Sequence, residues 1–422
     1  MFRINIYLNF YKFLKSIFLF KSQSELKNFI SNIILKQSKK KKLIFSSFCR
    51  VSFLYLLKFL KKENQIKNEI VFSSYNLPEM INVAKNLGFK VKFCDIDLKT
   101  GFIDFKHLKK IASKKTNAIV LTNMFNNYKD AKKLKVFAKK NKINLIEDNA
   151  IYFDNFEKIG TKKYYSGSVG DFSIYSFNIM KNISAMYGGA LATNNSKFIR
   201  FYYDLNKKNK SFFKSLMSKQ ILIYLILKIM SINILYNLFF KYLIKYSHQY
   251  QAKPLLKIFY PSLRFQIIDF PKYYFTVISK FSLKLIYLQL KDKQERLDNF
   301  NLRKKKNIYY YNSLKKLKNK NIKLIDIRSF NYQNFIDFPL LVNNKQSLND
   351  FLLDNGIEVR YIYYRDCERI FKKKKFSCKN SNLYEKKLIC LPNHRKIGFA
   401  YIDKVVNYID YFLKNTNNIN DK

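Results

Sequence analysis

Seven short apolar runs in the first half of the chain constrain its fold more than any other feature. They begin at residues 42, 69, 91, 117, 143, 171 and 189 and read KLIFSS, EIVFSS, VKFCDID, NAIVLTNMF, INLIEDN, DFSIYSF and GALATNN. Several are apolar on both faces, as a helix-covered parallel sheet requires. Helical patterns separate several of them, such as the one from residue 128, where Ala131, Leu134 and Ala138 share a face. The chain is therefore predicted to form an α/β domain with a mostly parallel seven-stranded sheet flanked by helices.

The rest of the chain differs from this region in composition and in hydrophobic periodicity, so the sequence predicts four segments. These are an N-terminal helical segment at 1–40, the α/β large domain at 41–198, an apolar helical insert at 199–280, and a long helix with a smaller α+β domain at 281–422. After the long helix, the last segment is predicted to continue as strand, helix, strand, strand and helix. One of these strands is expected in GIEVRYIYY, which begins at residue 356.

The insert contains a long apolar stretch, QILIYLILKIMSINILYNLFF, at residues 220–240. Its length approaches that of a membrane span, yet Lys228, Asn233 and Asn237 interrupt it. A buried or dimer-interface helix, a helix lying in the plane of a membrane and a true span all stay open. A peripheral membrane contact is assigned to residues 211–245 as a hypothesis.

The formal net charge of +51 raises the question of nucleic acid binding. The chain has 69 lysines but 11 arginines, with abundant Ile, Asn, Phe and Tyr, which is the pattern of an A+T-biased coding sequence. The lysines are scattered along every segment, and no zinc-finger spacing or RNA-binding signature accompanies them. A specific nucleic-acid partner is not predicted, whereas attraction to anionic lipid or nucleotide substrates is expected.

The five cysteines are widely spaced and form no CxxC pair, so a reducing cytoplasm is expected and no metal site is predicted. The first 21 residues are basic and apolar, but Lys12 and Lys15 interrupt them and no small-residue cleavage site follows. An amphipathic first helix is predicted there rather than an export signal.

Polar residues at the ends of two predicted strands indicate a site. Asp148 ends INLIEDN, and Lys181 follows DFSIYSF by four residues. Ligands of open α/β sheets bind beyond the carboxyl ends of the strands, so both side chains are expected at one edge. Ser176 can direct a hydroxyl to the same place, and Gly188 with Gly189 lets the chain turn into the next strand. This arrangement suits pyridoxal phosphate (PLP), which needs a lysine for attachment, an acid at its ring nitrogen and donors for its phosphate.

The same residues resemble the DegT/StrS class of sugar aminotransferases, which have the type I PLP fold. That family typically shows EDxA at a strand end, then GxxGDxxxxSFxxxK and GG. The corresponding residues here are Glu147-Asp148-Asn149-Ala150, Gly167, Gly170-Asp171, Ser176-Phe177, Lys181 and Gly188-Gly189. Order and spacing both match. The likeness covers residues 42–195 and 281–413 and leaves the insert unexplained.

The resemblance implies a role for each matching residue. Lys181 would attach the cofactor and shuttle protons, Asp148 would pair with its pyridine nitrogen, and Ser176 would bind its phosphate. Relatives also bind the phosphate with a Gly-Thr or Gly-Arg step at the first helix start. This chain has Cys49-Arg50 there, so Arg50 is expected to supply the charge.

Three departures from the family pattern fall on the predicted site. Ile151 replaces a usual glutamine, Met186 and Tyr187 replace the first half of GEGG, and Asn123 stands where histidine is common. Asn123 is kept as a candidate cofactor contact. The other departures affect the hydrogen bond to the cofactor hydroxyl and contacts on the substrate side. A catalytically decayed relative that acts as a binding or membrane-associated scaffold protein therefore stays open as an alternative.

A branch of the family that has histidine in place of the lysine acts as dehydratases, and this chain keeps Lys181. The resemblance thus implies a transaminase that moves an amino group from a donor, with glutamate favoured, to a nucleotide-linked 4-keto-6-deoxy sugar for surface polysaccharide or lipopolysaccharide synthesis. Relatives are homodimers, so a cytoplasmic homodimer is expected, with contact at the inner face of the membrane as an option. Weaker substrate-side candidates, whose residue types also anchor ordinary packing, are Arg360, Tyr363, Tyr364 and His394.

Overall fold

The computed structural model describes residues 6–124, 128–151, 153–207, 214–250, 252, 254–256, 270–326 and 336–420. Its strands, in chain order, are β1 Lys42–Ser46, β2 Glu69–Ser73, β3 Tyr75–Asn76, β4 Lys90–Cys94, β5 Thr116–Thr122, β6 Asn144–Asp148, β7 Phe156–Ile159, β8 Lys162–Tyr165, β9 Phe172–Ser176, β10 Gly189–Thr193, β11 Ile322–Leu324, β12 Asp337–Val342, β13 Arg365–Asp366 and β14 Leu388–Pro392. Its helices are α1 Phe10–Ile17, α2 Gln23–Ser38, α3 Cys49–Glu63, α4 Pro78–Asn86, α5 Phe105–Ile111, α6 Tyr128–Lys140, α7 Ser196–Asn206, α8 Lys214–Met230, α9 Asn233–Gln249, α10 Lys280–Lys291, α11 Lys293–Lys316, α12 Lys345–Asp354, α13 Cys367–Phe371, α14 Lys379–Lys387 and α15 Phe399–Asn420.

Seven strands form one sheet in the order β4, β2, β5, β6, β9, β10, β1. All are parallel except β10, which runs antiparallel to both of its neighbours, β9 and β1. These are the seven strands that the sequence predicts, and the mostly parallel sheet is confirmed. Because β1, β5, β6 and β9 point the same way, the residues that follow them gather at one edge of the sheet.

Helices cover both faces of this sheet, which explains why its strands are apolar throughout. Strands β2, β9 and β10 are buried at every residue. Ile146 and Ile174 pack on the face covered by α3, α4 and α7, and Ile119 and Leu145 pack on the face covered by α5 and α6. Each such buried side chain stabilises the fold by about 1.5–3 kcal/mol relative to an exposed position.

The long helix predicted from residue 281 is two helices, α10 and α11, which separate at Asp292. The Asp292 carboxylate accepts a hydrogen bond from the Glu295 N–H at 3.0 Å and so caps α11. Lys12 Nζ of α1 donates to the same carboxylate at 2.9 Å. A side-chain cap and a tertiary ion pair thus start a new helix where the apolar pattern alone predicts continuation.

The apolar stretch at residues 220–240 is interrupted as well. Helix α8 ends at Met230, α9 begins at Asn233, and the two axes differ by 82°. Ser231 Oγ donates to the Lys228 carbonyl at 2.7 Å in the last turn of α8. Among the described residues, no single helix is long and apolar enough to cross a bilayer, although α8 and α9 taken together reach that length and hydropathy.

A smaller antiparallel sheet, in the order β11, β12, β14, packs on α12, α14 and α15. The prediction of a regular strand in GIEVRYIYY is wrong, because residues 356–364 form no strand. Arg360 pairs with Cys390 through a single bridge, after which the chain crosses toward the large domain, and the Tyr364 N–H donates to Tyr75 Oη at 3.2 Å. That crossing carries the tyrosines away from the small sheet.

The predicted limits of the four segments stay predictions. Within the insert, residues 208–213, 251, 253 and 257–269 lie outside the described residues, and so does the start of the stretch at 211–245.

Candidate active site

Strand β6 ends in two carboxylates that face opposite sides of the sheet. Glu147 accepts hydrogen bonds from the backbone N–H groups of Gly167 at 3.1 Å and Val169 at 2.8 Å, so it holds the turn before β9. Asp148 points the other way and is 7% exposed. Its Oδ1 accepts a bond from the Ala150 N–H at 3.0 Å, and Oδ2 has no donor within the described residues. Glu147 therefore holds the backbone of the turn, whereas Asp148 has one oxygen that could accept a hydrogen bond from a ligand.

Lys181 is half-buried in the loop between β9 and β10. Helix α10 fixes this loop. The Ser184 N–H donates to Gln289 Oε1 at 3.0 Å, and Gln289 Nε2 donates back to the Ser184 carbonyl at 2.7 Å. Ser282 Oγ donates to the Ala185 carbonyl at 2.8 Å. The lysine therefore sits on a loop whose backbone is held by buried side chains of a distant helix.

Asp148 and Lys181 act on each other's ionisation. Burial lowers the pKa of the Lys181 amine from 10.5 to about 8; Asp148 opposes this shift, while Arg360 and Arg50 add to it. Burial raises the pKa of Asp148, and the Ala150 N–H and Lys181 counteract that rise. Asp148 ends β6 and Lys181 lies in the loop after β9, and the two side chains are near enough for each to change the pKa of the other. The amine has an accessible neutral form near neutral pH.

Helix α3 begins beside this pair at Cys49. No side chain caps its first N–H groups, which leaves them available to an anion. The close approach of this helix to β10 depends on Gly189, because a Cβ there would lie 2.5 Å from the Cys49 nitrogen. Burial and the Asp148 carboxylate raise the pKa of the Cys49 thiol, so it stays protonated.

Arg50 already has two partners that the sequence does not predict. Its Nη2 lies 2.8 Å from Glu79 Oε2, and its Nη1 donates to Tyr274 Oη at 2.8 Å. Burial, the largest single effect, opposes the charge of Arg50, but the Glu79 carboxylate together with the hydroxyls of Tyr274 and Tyr273 and the Cys49 thiol raises the pKa of the guanidinium overall. The cation expected at the start of α3 is present, and a carboxylate partly neutralises it.

Ser176 and Asn123 differ in whether their polar groups already have hydrogen-bond partners. Ser176 ends β9, is 8% exposed, and its hydroxyl has no hydrogen bond within the described part of the chain. Asn123 follows β5, and its Nδ2 donates to Asn149 Oδ1 and, at 3.4 Å, to Glu147 Oε1. Those bonds hold the Asn123 amide on the Glu147 side of the sheet rather than beside Lys181.

Arg360 and Tyr363 reach the site from the small domain. Arg360 Nη2 pairs with Asp337 Oδ2 at 2.9 Å, and its guanidinium carbon lies 5.2 Å from the centre of the Tyr363 ring. Since Arg360 lowers the pKa of Lys181, it belongs to the same electrostatic neighbourhood. Tyr364 belongs there too, because Asp148 is among the charges that, after burial, raise the pKa of its hydroxyl.

His394 is held in a different environment. Its side chain is 3% exposed, and its carbonyl accepts a hydrogen bond from Lys306 Nζ at 2.9 Å. The structure does not show it acting on the pKa of Lys181.

The residues that depart from the family pattern have packing roles. Ile151 packs against the small-domain core. Met186 is buried with a left-handed φ of 62°, and its carbonyl accepts from Gln220 Nε2 of α8 at 3.2 Å. Tyr187 packs on Phe48, with ring centres 4.9 Å apart. These contacts pack Ile151 on the small domain, Met186 on α8 and Tyr187 on the residue that precedes α3.

The five cysteines are free thiols. Among the described residues, no group of three or more His, Cys, Asp or Glu side chains is arranged to hold a metal ion.

The comparison with known families gives one match. The model for the DegT/DnrJ/EryC1/StrS aminotransferase family matches residues 44–215 and 288–410. This agrees with the resemblance in the motifs and extends it into the insert.

Among curated relatives, a GDP-4-keto-6-deoxy-D-mannose 3-dehydratase of Escherichia coli O55:H7 is 27% identical over 165 residues, or 36% of this chain and 41% of that enzyme. A UDP-4-amino-4,6-dideoxy-N-acetyl-beta-L-altrosamine transaminase of Campylobacter jejuni is 34% identical over 138 residues, or 32% of this chain and 35% of that enzyme. The matched stretch spans less than half the length of either relative.

Solved structures match over nearly the whole chain. DesI, solved in the presence of its TDP-sugar product, has a TM-score of 0.69 at 13% identity and covers 99% of this chain and 93% of its own. Helicobacter pylori PseC, an aminotransferase of pseudoaminic acid biosynthesis, has a TM-score of 0.68 at 15% identity and covers 96% of each chain. A point mutant of the dehydratase ColD with bound GDP-perosamine has a TM-score of 0.65 at 18% identity, covering 94% of this chain and 96% of its own. These likenesses confirm the predicted fold class.

Proposed function

The chain belongs to the DegT/DnrJ/EryC1/StrS aminotransferase family, and on that premise we propose that it transfers an amino group, from glutamate, to the carbonyl carbon of a nucleotide-linked keto-sugar. The observation that carries this proposal is the meeting of Lys181 and Asp148 at the carboxyl edge of the sheet. A half-buried amine with a pKa of about 8, in the same site as a buried carboxylate that has one oxygen without a donor in the described structure, suits proton transfer.

The residues present fit PLP as the cofactor. Asp148 Oδ2, which lacks a donor in the described structure, would accept the ring N–H. The uncapped start of α3 and the Ser176 hydroxyl would hold the phosphate, with Arg50 nearby to add positive charge. When bound, PLP supplies an electrophilic carbon for amines and a ring that accepts electrons.

The chain's own residues divide the remaining work. Lys181 Nζ is neutral in a fraction of molecules at neutral pH, so it would hold the cofactor until the donor amine displaces it. The released amine would then move a proton from the donor's α-carbon to the cofactor in one half-reaction, and from the cofactor to the acceptor carbon in the other. Asp148, when ionised, would keep the proton on the ring nitrogen. Arg360 and Tyr363 lie on the side from which the small domain covers the site, and they would orient the substrate.

The names of the relatives indicate the substrate class. The dehydratase acts on a GDP-linked 4-keto-6-deoxy sugar, and the transaminase is named for a UDP-linked 4-amino-4,6-dideoxy sugar. We propose the same class for this chain, with a product that enters surface polysaccharide or lipopolysaccharide synthesis. A net charge of +51 favours the approach of a diphosphate-linked substrate.

Transamination is favoured over the two rival activities. The family's dehydratases carry histidine where this chain has Lys181, which retains the amine that transamination needs. A catalytically decayed relative would have no need to keep Lys181 and Asp148 near enough for each to change the pKa of the other. A cytoplasmic homodimer is part of the proposal and rests on the family resemblance.

Absorbance of the purified protein with added PLP tests the cofactor and its lysine together. We expect a visible band in the wild type and its loss in Lys181→Met. Lys345→Met is the matched control, because burial also lowers the pKa of Lys345 to about 8, in the small domain. A band that survives in Lys181→Met, or a wild type that binds no PLP, would contradict the assignment. The activity is then tested with a panel of nucleotide keto-sugars and glutamate, with mass spectrometry of the products.

A further inference from the structure

Helix α1 presents apolar side chains to solvent. Phe10, Leu14, Ile17 and Phe18 are all exposed, and Phe18 is 71% exposed. Their spacing of four, three and one residues places them on one side of the helix, opposite the buried Ser16. A surface helix of a globular protein normally has polar residues on this side.

Helix α8 repeats the pattern. Leu222, Leu225, Ile226 and Ile229 are exposed at spacings of one turn, while the opposite side, which includes Tyr224, is buried. No charged residue lies between Lys219 and Lys228. Helix α9 continues with exposed Leu238 and Phe239, of which the latter is 64% exposed.

The faces of α1 and α8 are neighbours. The Phe13 and Tyr224 rings stack with centres 5.1 Å apart. Tyr224 Oη donates to the Leu8 carbonyl at 3.4 Å, and Lys228 Nζ donates to the Ile6 carbonyl at 3.1 Å. The exposed sides of α1, α8 and α9 are together called the outer apolar surface. Exposed apolar areas of this extent mark an interaction site.

The charge around the outer apolar surface identifies what it fits. Helices α1, α8 and α9 together contain seven lysines and no Asp or Glu. Lys15 on α1 and Lys219 on α8 are exposed at its margin. An apolar face with a basic margin complements an anionic bilayer, into whose boundary the apolar side chains insert.

We propose that the outer apolar surface rests on an anionic lipid bilayer, with α1, α8 and α9 lying in the plane of the membrane. Helix α8 has 17 residues, fewer than the roughly 20 that cross a bilayer, and α9 turns away from it by 82°. Both facts favour helices that lie in the interface over a span. A second copy of the chain is the rival occupant, but apposing two copies of α1, α8 and α9 would bring lysines together with no Asp or Glu of these helices to pair with them. This inference is independent of the proposed transamination.

Flotation of the full chain with vesicles tests the proposal. We expect binding to phosphatidylcholine vesicles that contain phosphatidylglycerol, weak binding to phosphatidylcholine alone, and loss of binding at high salt. Leu222→Gln combined with Ile229→Gln should weaken the partition coefficient about ten-fold or more. Lys15→Glu combined with Lys219→Glu should weaken it about five-fold or more for each lysine.

Matched controls change exposed residues that do not belong to α1, α8 or α9. Ile66→Gln with Val136→Gln removes exposed apolar side chains, and Lys132→Glu with Lys139→Glu reverses exposed charges, both outside the outer apolar surface. These variants should bind as the wild type does. Thermal unfolding of each variant checks that it folds. Equal binding by all variants would overturn the proposal. So would a wild type that ignores lipid and forms a dimer, seen by sedimentation, that the Leu222 and Ile229 changes dissociate.

Discussion

Gln289 of α10 holds the loop of Lys181 by two amide hydrogen bonds to one residue, Ser184. Its oxygen accepts from the Ser184 N–H at 3.0 Å, and its nitrogen donates to the Ser184 carbonyl at 2.7 Å. Gln289 is 5% exposed, and Ser184 is fully buried. The loop is thus positioned by a helix that follows it by about a hundred residues rather than by the strands on either side.

Gln289→Leu should destabilise the protein and misplace the lysine. The change leaves the Ser184 N–H and carbonyl buried without partners, which costs about 2–4 kcal/mol in the free energy of unfolding. We expect kcat to fall and the pH profile set by Lys181 to shift, because the amine no longer has a fixed environment. Urea unfolding and kcat at several pH values measure both effects. In the control, Gln294→Leu, the lost bond is exposed and leads to Asp298, so neither quantity should change.

Asp148→Asn should lower the pKa of Lys181 further below about 8, since Asp148 is the charge that opposes the effect of burial. The shape of the side chain and the acceptor for the Ala150 N–H are retained. Competitive labelling of the amine across pH, without cofactor, measures this shift. Activity should fall about 10²–10³-fold. Asp154→Asn removes another buried carboxylate, which pairs with Arg296, and should not move the pKa of Lys181. An unchanged pKa of Lys181 in Asp148→Asn would show that the two groups do not share one site.

Lys181→Met should stabilise the folded protein at pH 7. The folded-state pKa of about 8 lies below the ordinary 10.5, so the charged amine is disfavoured by folding. Between these values the unfolded chain binds more protons, and wild-type stability therefore rises with pH. The gain in Lys181→Met is about 2–3 kcal/mol at pH 7 and disappears as the pH approaches 10.5. Urea unfolding over this range checks the trend, and Lys291→Met at an exposed position serves as the control. A stability gain in Lys181→Met that increases with pH would contradict the lowered pKa of Lys181.

Glu79→Gln should strengthen PLP binding if the start of α3 holds the phosphate. Arg50 Nη2 lies 2.8 Å from Glu79 Oε2, so removal of that negative charge leaves the cation free to attract an anion. We expect about a five-fold lower Kd for PLP, and a weaker effect at high salt. Titration of the visible band measures it. Glu63→Gln, at the far end of α3, is the control. Unchanged affinity in Glu79→Gln would place the phosphate elsewhere.

The large sheet is predictable because its strands are apolar on both faces and separated by amphipathic helices, so each strand is recognisable on its own. The helix breaks at Ser231 and Asp292 are not predictable from the apolar pattern. A side-chain hydrogen bond to the backbone marks each break, and at Asp292 the ion pair with Lys12 adds to it. Residues 356–364 look like a strand by composition, but the Tyr364 contact with Tyr75 pulls the chain off the small sheet.

The candidate site also contains some residues that the sequence predicts and others that it does not. Asp148 and Lys181 are recognisable because each follows a strand at a fixed spacing, and parallel strands bring both to one edge. Glu79, Tyr274 and Gln289 were missed because their partners lie far away in sequence. Glu79 reads as an ordinary acid in the first turn of α4, and Gln289 as one polar residue in an apolar helix. No local signal connects either with the lysine or with Arg50.

The alternation of Glu147 and Asp148 makes β6 intolerant of any change in length. Deleting or adding a single residue in this strand would turn Glu147 to the side of the sheet that Lys181 occupies, and would turn Asp148 toward the backbone amides of Gly167 and Val169. The spacing within this one strand is therefore fixed by the two faces of the sheet, whatever the length of the loops around it.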